Sequence, residues 1–220
     1  MTPKQTSGRY LRLEIDYTDL MNVAKRSSFI GVEPVEVQPG WPPEKYLITF
    51  SCNGFAGINA DGSPICSNHH QVSIYLSRDY PSVIPSLLWL TDIWHPNIDH
   101  KEPRHVCTND VQTFWAQKPL SELVLGLGEM VQYKRYHAQL KPPFPQDLDV
   151  ARWVREVAEP KGWVRSDKPL DPRPLLRQKG IRRRRKDAIE QDHVASQRIK
   201  MGIPNSVRPR ITIGKARTDS

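Results

Sequence analysis

Residues 80–115 read YPSVIPSLLWLTDIWHPNIDHKEPRHVCTNDVQTFW, and this stretch holds the motifs around which the rest of the chain is organised. It begins with a proline-bracketed turn, Tyr80–Pro85, and continues into a short apolar run, Leu87–Leu90. The tripeptide His95–Asn97 follows, and a polar loop leads to Cys107 and then to Trp115. A cysteine thiolate is a nucleophile and an asparagine amide is a hydrogen-bond donor, so the stretch carries a candidate reactive group and a candidate donor.

Helical periodicity marks three other parts of the chain. Apolar side chains recur at helical spacing in 9–26 and in 120–131, which predicts an amphipathic helix in each. A third helix is expected to begin at Asp147 or Asp149, because either side chain can cap a first turn, and to end near Ala158.

Strand patterns lie between the first helix and the quoted motifs. Apolar and polar residues alternate in 45–53 and 72–76, which is the period of a strand with one buried face. Residues 30–37 and 87–90 predict two more strands, whereas the glycine, asparagine and proline of 54–68 predict a loop or a wide hairpin turn. This order of elements indicates an α+β fold with about four antiparallel strands, an order that several α+β folds share.

The net charge of +8 comes from the C-terminal part of the chain. Residues 1–165 hold 17 Lys/Arg and 18 Asp/Glu, a balance of −1, whereas residues 166–220 hold 15 and 6, a balance of +9. The sequence therefore predicts a neutral domain over 1–165 and a basic, proline- and arginine-rich tail over 166–220. The run Arg182–Lys186 could contact nucleic acid phosphates, but the tail lacks interleaved aromatic residues for stacking on bases. Docking onto an acidic surface of a partner enzyme is at least as reasonable.

The cysteines and the apolar runs indicate a cytoplasmic protein. Three cysteines at irregular spacing do not form a disulfide framework, and a reducing compartment suits a working thiol. No apolar run approaches the roughly 18 residues of a membrane span, and the N-terminus shows no secretory signal. Membrane and secreted classes are therefore not expected.

The order and spacing of the motifs resemble the ubiquitin-conjugating enzyme family. The resemblance is strongest over residues 80–115 and extends more weakly over 9–165. It implies the fold of that family: an N-terminal helix, a four-stranded antiparallel meander, an active-site loop and C-terminal helices. It also implies that Cys107 accepts a ubiquitin-like protein from an activating enzyme as a thioester and passes it to a lysine of a target protein. No bound cofactor is expected, because the activating enzyme consumes the ATP.

The resemblance also assigns roles to individual residues. The candidate catalytic set is Cys107, Asn97 and His95. Asn97 either donates to the oxyanion as the amine attacks or braces the active-site loop, and both roles need the same side chain. His95 is expected to be a hydrogen-bonded structural residue rather than a base. The candidate binding residues are Trp115, Tyr80 and His105.

The chain departs from the family pattern around the motif. The loop from Asn97 to Cys107 is longer than usual by a couple of residues, and Thr108–Asn109 replaces a familiar leucine-aspartate pair. No acidic residue precedes Asp147 where the family often has a carboxylate that gates the incoming lysine, so His137 and His105 become candidates for handling the proton. These departures predict a divergent, bacterial member that works with its own ubiquitin-like protein, with antiviral defence as its setting.

Other interpretations of the motif residues stay open. Cys66, His69 and His70 are close together and could contribute to a zinc site, yet zinc takes four ligands from paired spacings and no second pair exists in the sequence. Cys107 could also be a small core residue, which is the common environment of a cysteine. The chain would then be a catalytically silent domain that docks a ubiquitin-like protein.

Overall fold

The computed structural model describes residues 7–107, 118–142 and 144–176. The predictions made for Thr108–Asn109, for Trp115 and for the tail from residue 177 onward lie outside the described residues.

A five-stranded antiparallel sheet forms the centre of the fold, in the order β1-β2-β5-β6-β7, and β3 pairs with β4 in a separate hairpin. The strands are Ile30–Val35 (β1), Lys45–Phe50 (β2), Gly54–Ile58 (β3), Pro64–Ser67 (β4), His70–Tyr75 (β5), Ser86–Trp89 (β6) and Arg104–His105 (β7). The alternation of β2 accounts for its position, since Tyr46, Ile48 and Phe50 are fully buried and the residues between them are half-buried.

Within the described ranges, three helices complete the fold: α1 (Gly8–Arg26), α2 (Leu120–Val131) and α3 (Leu148–Trp153). The last continues as the π-helical segment Val154–Ala158. The buried faces of α1 and α2 join the inner residues of the sheet in one hydrophobic core. The Asp147 side chain caps α3 by accepting hydrogen bonds from the Asp149 and Val150 N–H groups, so Asp147 is the cap of the two candidates.

The start of α2 is capped by a side chain from another helix. Pro119 stands at the N-cap position and offers no side-chain hydrogen bond. Instead, the buried Asp16 of α1 accepts the Leu120 N–H at 2.9 Å. Asp16 also accepts hydrogen bonds from Arg12 at 2.7 Å and from the Tyr80 hydroxyl at 2.5 Å. This network holds the segment that starts at residue 118 against α1.

A second core cluster joins the β3–β4 hairpin to α3. Phe55 of β3 contacts the rings of Tyr133 and Trp153, with centroids 5.2 Å and 5.9 Å away. The Trp153 indole N–H donates to the Gly62 carbonyl at 2.9 Å, where the hairpin turns. The stretch predicted as a loop or wide hairpin turn is therefore a paired hairpin, and aromatic contacts hold it on α3.

The segment that follows residue 165 packs on the domain, contrary to the predicted boundary. The Leu170 N–H donates to the Gln132 carbonyl at 2.9 Å, and Asp171 accepts the Asn53 N–H at 3.3 Å. Leu175 belongs to the main core. The described residues 166–176 therefore belong to the same compact unit as the domain, although their proline-rich composition predicts a tail.

The predicted α+β class is confirmed. The helix, the antiparallel sheet and the C-terminal helices follow one another in the predicted order. The four predicted strands correspond to β1, β2, β5 and β6, whereas β7 and the β3–β4 pairing were not predicted. Among the described residues, the structure contains no helix that is long and apolar enough to span a membrane.

Candidate active site

The stretch from residue 95 to residue 107 folds into a short hairpin. Ile98 pairs with Val106, and next to that pair the Cys107 N–H donates to the Asn97 carbonyl at 2.8 Å. This register places Asn97 opposite Cys107. Directly opposed residues of an antiparallel ribbon project to the same side, with Cα atoms about 5 Å apart. The hairpin therefore brings the candidate nucleophile and the candidate amide donor together.

The three cysteines differ in their exposure to solvent. Cys52 is fully buried, and burial, aided by the nearby Asp171 charge, raises the pKa of its thiol to about 12. Because the thiolate is the nucleophile, Cys52 is unreactive near neutral pH. Cys66 is exposed on β4, and Cys107 is half-buried. Of the two accessible thiols, Cys107 is the one that lies opposite an asparagine.

The Asn97 side chain is nearly buried and is held on one side. Its exposure is 8%, and its Oδ1 accepts the His137 N–H at 2.9 Å. Because a backbone N–H can only donate, the oxygen of the amide must face His137, and the NH₂ group is directed elsewhere. The side chain thus braces the hairpin with its oxygen and keeps its two N–H donors for another acceptor.

His95 is a neutral, buried residue beneath the hairpin. Its Nδ1 accepts the Asn97 N–H at 3.1 Å, so the ring proton is on Nε2, which donates to the Arg135 carbonyl at 3.1 Å. Burial lowers the pKa of His95 to about 3. Both ring nitrogens are used, and the ring also lies 4.8 Å from that of Tyr133. This geometry agrees with a structural residue that orients Asn97 rather than with a base.

The candidate binding residues lie in different surroundings. Tyr80 is 2% exposed, and its hydroxyl is bonded to Asp16, so the structure assigns it a packing role in place of direct contact with a partner. His105 is exposed on β7, at the edge of the sheet. Trp115 lies outside the described residues.

Two histidines near the hairpin have defined contacts. His137, a candidate for handling the proton, has its Nε2 within 3.0 Å of the Lys141 carbonyl. His100 lies in the polar loop between Asn97 and Cys107. Its Nδ1 is within 2.5 Å of Asp147 Oδ2, and the same carboxylate oxygen accepts the His100 N–H at 2.9 Å. Burial opposes ionisation of Asp147, but the hydrogen bonds from His100 and Val150 outweigh it and lower the pKa of this carboxyl.

An open depression of about 580 Å³ lies beside the hairpin. Its walls come from the segment 99–105 and from the start of α3, residues 146–149. Four carboxylates, those of Asp99, Glu102, Asp147 and Asp149, line it together with Lys101, His100 and His105. Neither Asn97 nor Cys107 lines this depression.

The candidate zinc residues do not form a cluster. Within the described parts of the chain, no group of three or more His, Cys, Asp or Glu side chains is arranged to hold a metal ion. His70 is fully buried, with Nε2 within 3.2 Å of the Ser67 carbonyl, and burial lowers its pKa to about 4. It is thus a neutral core histidine.

Comparison with known proteins gives one sequence match and several structural likenesses. No protein-family model matches the chain. Over 93 residues the chain is 30% identical to the ubiquitin-conjugating enzyme E2 S of Danio rerio, a match that covers 42% of this chain and 40% of that protein. The chain thus spans about two fifths of the length of this curated relative.

Solved structures with a similar course of the chain include the E2 domain of a ubiquitin conjugating enzyme from Toxoplasma gondii and a protein described as a novel ubiquitin-conjugating enzyme. The first is 19% identical with a TM-score of 0.47, covering 69% of this chain and 89% of the other. The second is 21% identical with a TM-score of 0.49, covering 69% and 88%.

The sequence match confirms the resemblance that the motifs indicated. Over the matched 93 residues the chain is similar to a ubiquitin-conjugating enzyme, and its α+β elements follow the order expected from the resemblance.

Proposed function

We propose that this chain is a thioester-forming conjugating enzyme. Cys107 accepts the C-terminal acyl group of a ubiquitin-like protein from an activating enzyme and transfers it to a lysine of a target protein. In the first step the Cys107 thiolate attacks the thioester on the activating enzyme, whose cysteine leaves as a thiolate. In the second step the lysine amine attacks the new thioester and loses a proton to solvent, an amide forms, and the Cys107 thiolate is released.

The observation that carries this proposal is the pairing of Cys107 with Asn97 across the hairpin. The 2.8 Å hydrogen bond between their backbones sets the two residues opposite each other. A half-buried cysteine at the end of a hairpin is accessible to an acyl donor, whereas a core cysteine such as Cys52 is not.

Asn97 is assigned the role of donor to the oxyanion. Attack of the amine places negative charge on the carbonyl oxygen, and a preorganised N–H donor there typically lowers the barrier by about 2.7–4 kcal/mol. Its Oδ1 is engaged by His137, so the NH₂ group is the part of the side chain that serves the reaction. His95 supports it as a positioning residue through the Asn97 N–H.

The partners of the chain follow from this chemistry. They are an activating enzyme, a ubiquitin-like protein held covalently as the thioester, and a target protein with an accessible lysine. No bound cofactor takes part, since acyl exchange between thiols and transfer to an amine need only the cysteine and the hydrogen-bond donor. The same proposal includes four further points: a separate, bacterial type of ubiquitin-like protein, a cytoplasmic location, antiviral defence as the setting, and a contact of His105 with a partner.

The test is a charging reaction analysed on a gel without reductant. A chemical donor, ubiquitin carrying a C-terminal 2-mercaptoethanesulfonate thioester, is used beside a second donor, a ubiquitin-like protein supplied with its activating enzyme and ATP. Wild type is expected to form an adduct that reductant removes. Cys107→Ser is expected to give a reductant-stable ester or nothing, and the matched control Cys66→Ser is expected to charge normally. Absence of any adduct with either donor would overturn the proposal in favour of a silent docking domain.

A further inference from the structure

Asp147 contacts the active-site hairpin on both sides of Asn97. Its backbone N–H donates to the Pro96 carbonyl at 3.0 Å. Its Oδ2 accepts the His100 N–H at 2.9 Å and lies 2.5 Å from His100 Nδ1. One residue therefore holds the chain immediately before Asn97 and again three residues after it.

His100 has one arrangement that fits this contact. A carboxylate accepts and does not donate, so Nδ1 carries the proton that faces Asp147. The ring also packs against Trp94, with centroids 4.8 Å apart and planes tilted by 59°. The side chain is thus held by a charge-assisted hydrogen bond on one edge and by an aromatic face on another.

Asp147 also caps α3, a helix that is packed against the rest of the domain. The other carboxylate oxygen of Asp147, Oδ1, accepts the Asp149 and Val150 N–H groups at 3.1 Å and 3.0 Å and so caps the first turn of α3. Val150 is fully buried, and Trp153 packs 6.2 Å from Trp94. A displacement of the hairpin would have to move a packed helix, because the same carboxylate holds both.

We propose that Asp147 and His100 form a positioning pair that fixes the Asn97 amide for transfer of the acyl group to an amine. This inference rests on the function proposed for Cys107. Loading needs a reachable sulfur, whereas transfer to an amine also needs the donor in place as charge develops on the carbonyl oxygen. A misplacement of about 1 Å can slow such a step by about 10²-fold. Loss of the pair therefore affects discharge more than loading.

The variants are chosen to break the contact while keeping the fold. Asp147→Ser keeps a hydroxyl that can cap α3, but the side chain is too short to reach both the cap and His100. His100→Leu keeps apolar contact with Trp94 and loses the donor. His100→Asn restores an N–H donor near the position of Nδ1. Asp149→Ser is the matched control, since its carboxylate is exposed and lies 3.9 Å from Lys101.

Single-turnover discharge of the purified thioester to free lysine is the kinetic measurement, with the thioester made as in the charging test. Asp147→Ser and His100→Leu are expected to lower the maximal discharge rate by roughly 10- to 100-fold, with the lysine concentration for half-maximal rate and the loading rate unchanged. His100→Asn is expected to recover most of the rate, and Asp149→Ser to match wild type. Unchanged discharge in Asp147→Ser and His100→Leu would overturn the inference, and so would an equal loss of loading and discharge.

Hydrogen exchange of the uncharged protein separates this inference from the proposed function. The Cys107 amide is expected to exchange faster in Asp147→Ser and His100→Leu than in wild type, because it donates to the Asn97 carbonyl. The amides of α2 serve as the internal reference for the fold and are expected to be unchanged. Unaltered exchange at Cys107 would refute the positioning role even if charging succeeds. Failure of wild type to charge would instead refute the reaction itself.

Discussion

Replacing Asn97 by aspartate separates the two roles that this side chain can have. Aspartate has the same shape and keeps an oxygen for the His137 N–H, which Asn97 Oδ1 accepts at 2.9 Å. It loses the NH₂ donor and brings a negative charge to the place where the oxyanion forms. Alanine loses both the donor and the brace. The two variants therefore have different effects on rate and on stability.

The magnitudes follow from the two contacts. Loss of one oxyanion donor costs about 2.7–4 kcal/mol in the barrier, which is about 10²- to 10³-fold in the rate of discharge. Loss of the acceptor for a buried N–H costs about 1–3 kcal/mol in the free energy of unfolding. Asn97→Asp is expected to show mainly the first effect, whereas Asn97→Ala is expected to show both.

The assay is discharge of purified Cys107 thioester to lysine under single-turnover conditions, with urea unfolding of the same preparations. Loading of Cys107 is measured beside it and is expected to stay within about threefold of wild type, because loading does not depend on the donor to the same degree. If Asn97→Asp discharges as fast as wild type while Asn97→Ala is slow and unstable, the side chain is only a brace. The oxyanion assignment would then be wrong.

Further predictions concern the core and the buried groups. Gly126→Ala is expected to stabilise the protein by up to about 1 kcal/mol, because an added Cβ meets no atom within 4 Å. Gly128→Ala brings a Cβ within 2.9 Å of Leu175 and is expected to lower the free energy of unfolding by about 1–3 kcal/mol. Urea unfolding measures both changes. Burial lowers the pKa of His70 from 6.5 to about 4, so its ring is neutral in the folded protein. Its contribution to the free energy of unfolding is therefore complete above pH 6.5. As the pH falls from 6.5 toward 4 this contribution is lost, by up to about 1.4 kcal/mol per pH unit. Unfolding free energies across that range are expected to fall less steeply in His70→Leu than in wild type. Iodoacetamide labelling of the native protein is expected to spare Cys52, and rapid labelling there would contradict its raised pKa.

Most of the sheet and helices could be predicted because their signals are local. Alternation in β2 and helical spacing in α2 record which face is buried, and both elements formed where predicted. The β3–β4 hairpin gives a weaker signal, since its glycines and turn residues also suit a loop and its support comes from Trp153, far away in sequence. The end of the domain was missed for a similar reason. Prolines and charges around residue 170 suggested a tail, and no local pattern shows that Leu175 fills the space above Gly128.

The candidate site could be predicted only in part. The ordered motif singled out Cys107, Asn97 and His95 together, and the hairpin brings the first two opposite each other. The contact of His100 with Asp147 joins residues 47 positions apart, so no periodicity or short motif could indicate it. The one local signal was the capping pattern, which named Asp147 and Asp149 as alternatives; the structure selects Asp147 as the cap of α3.

The most direct measurement is the intact mass of the chain after charging, followed by peptide mapping of the modified residue. The account predicts a gain equal to the mass of the ubiquitin-like protein less one water, with the acyl group on Cys107, and release of that mass by hydroxylamine or thiol. A chain that gains no mass with either donor, or that carries the acyl group on Cys66, would contradict it.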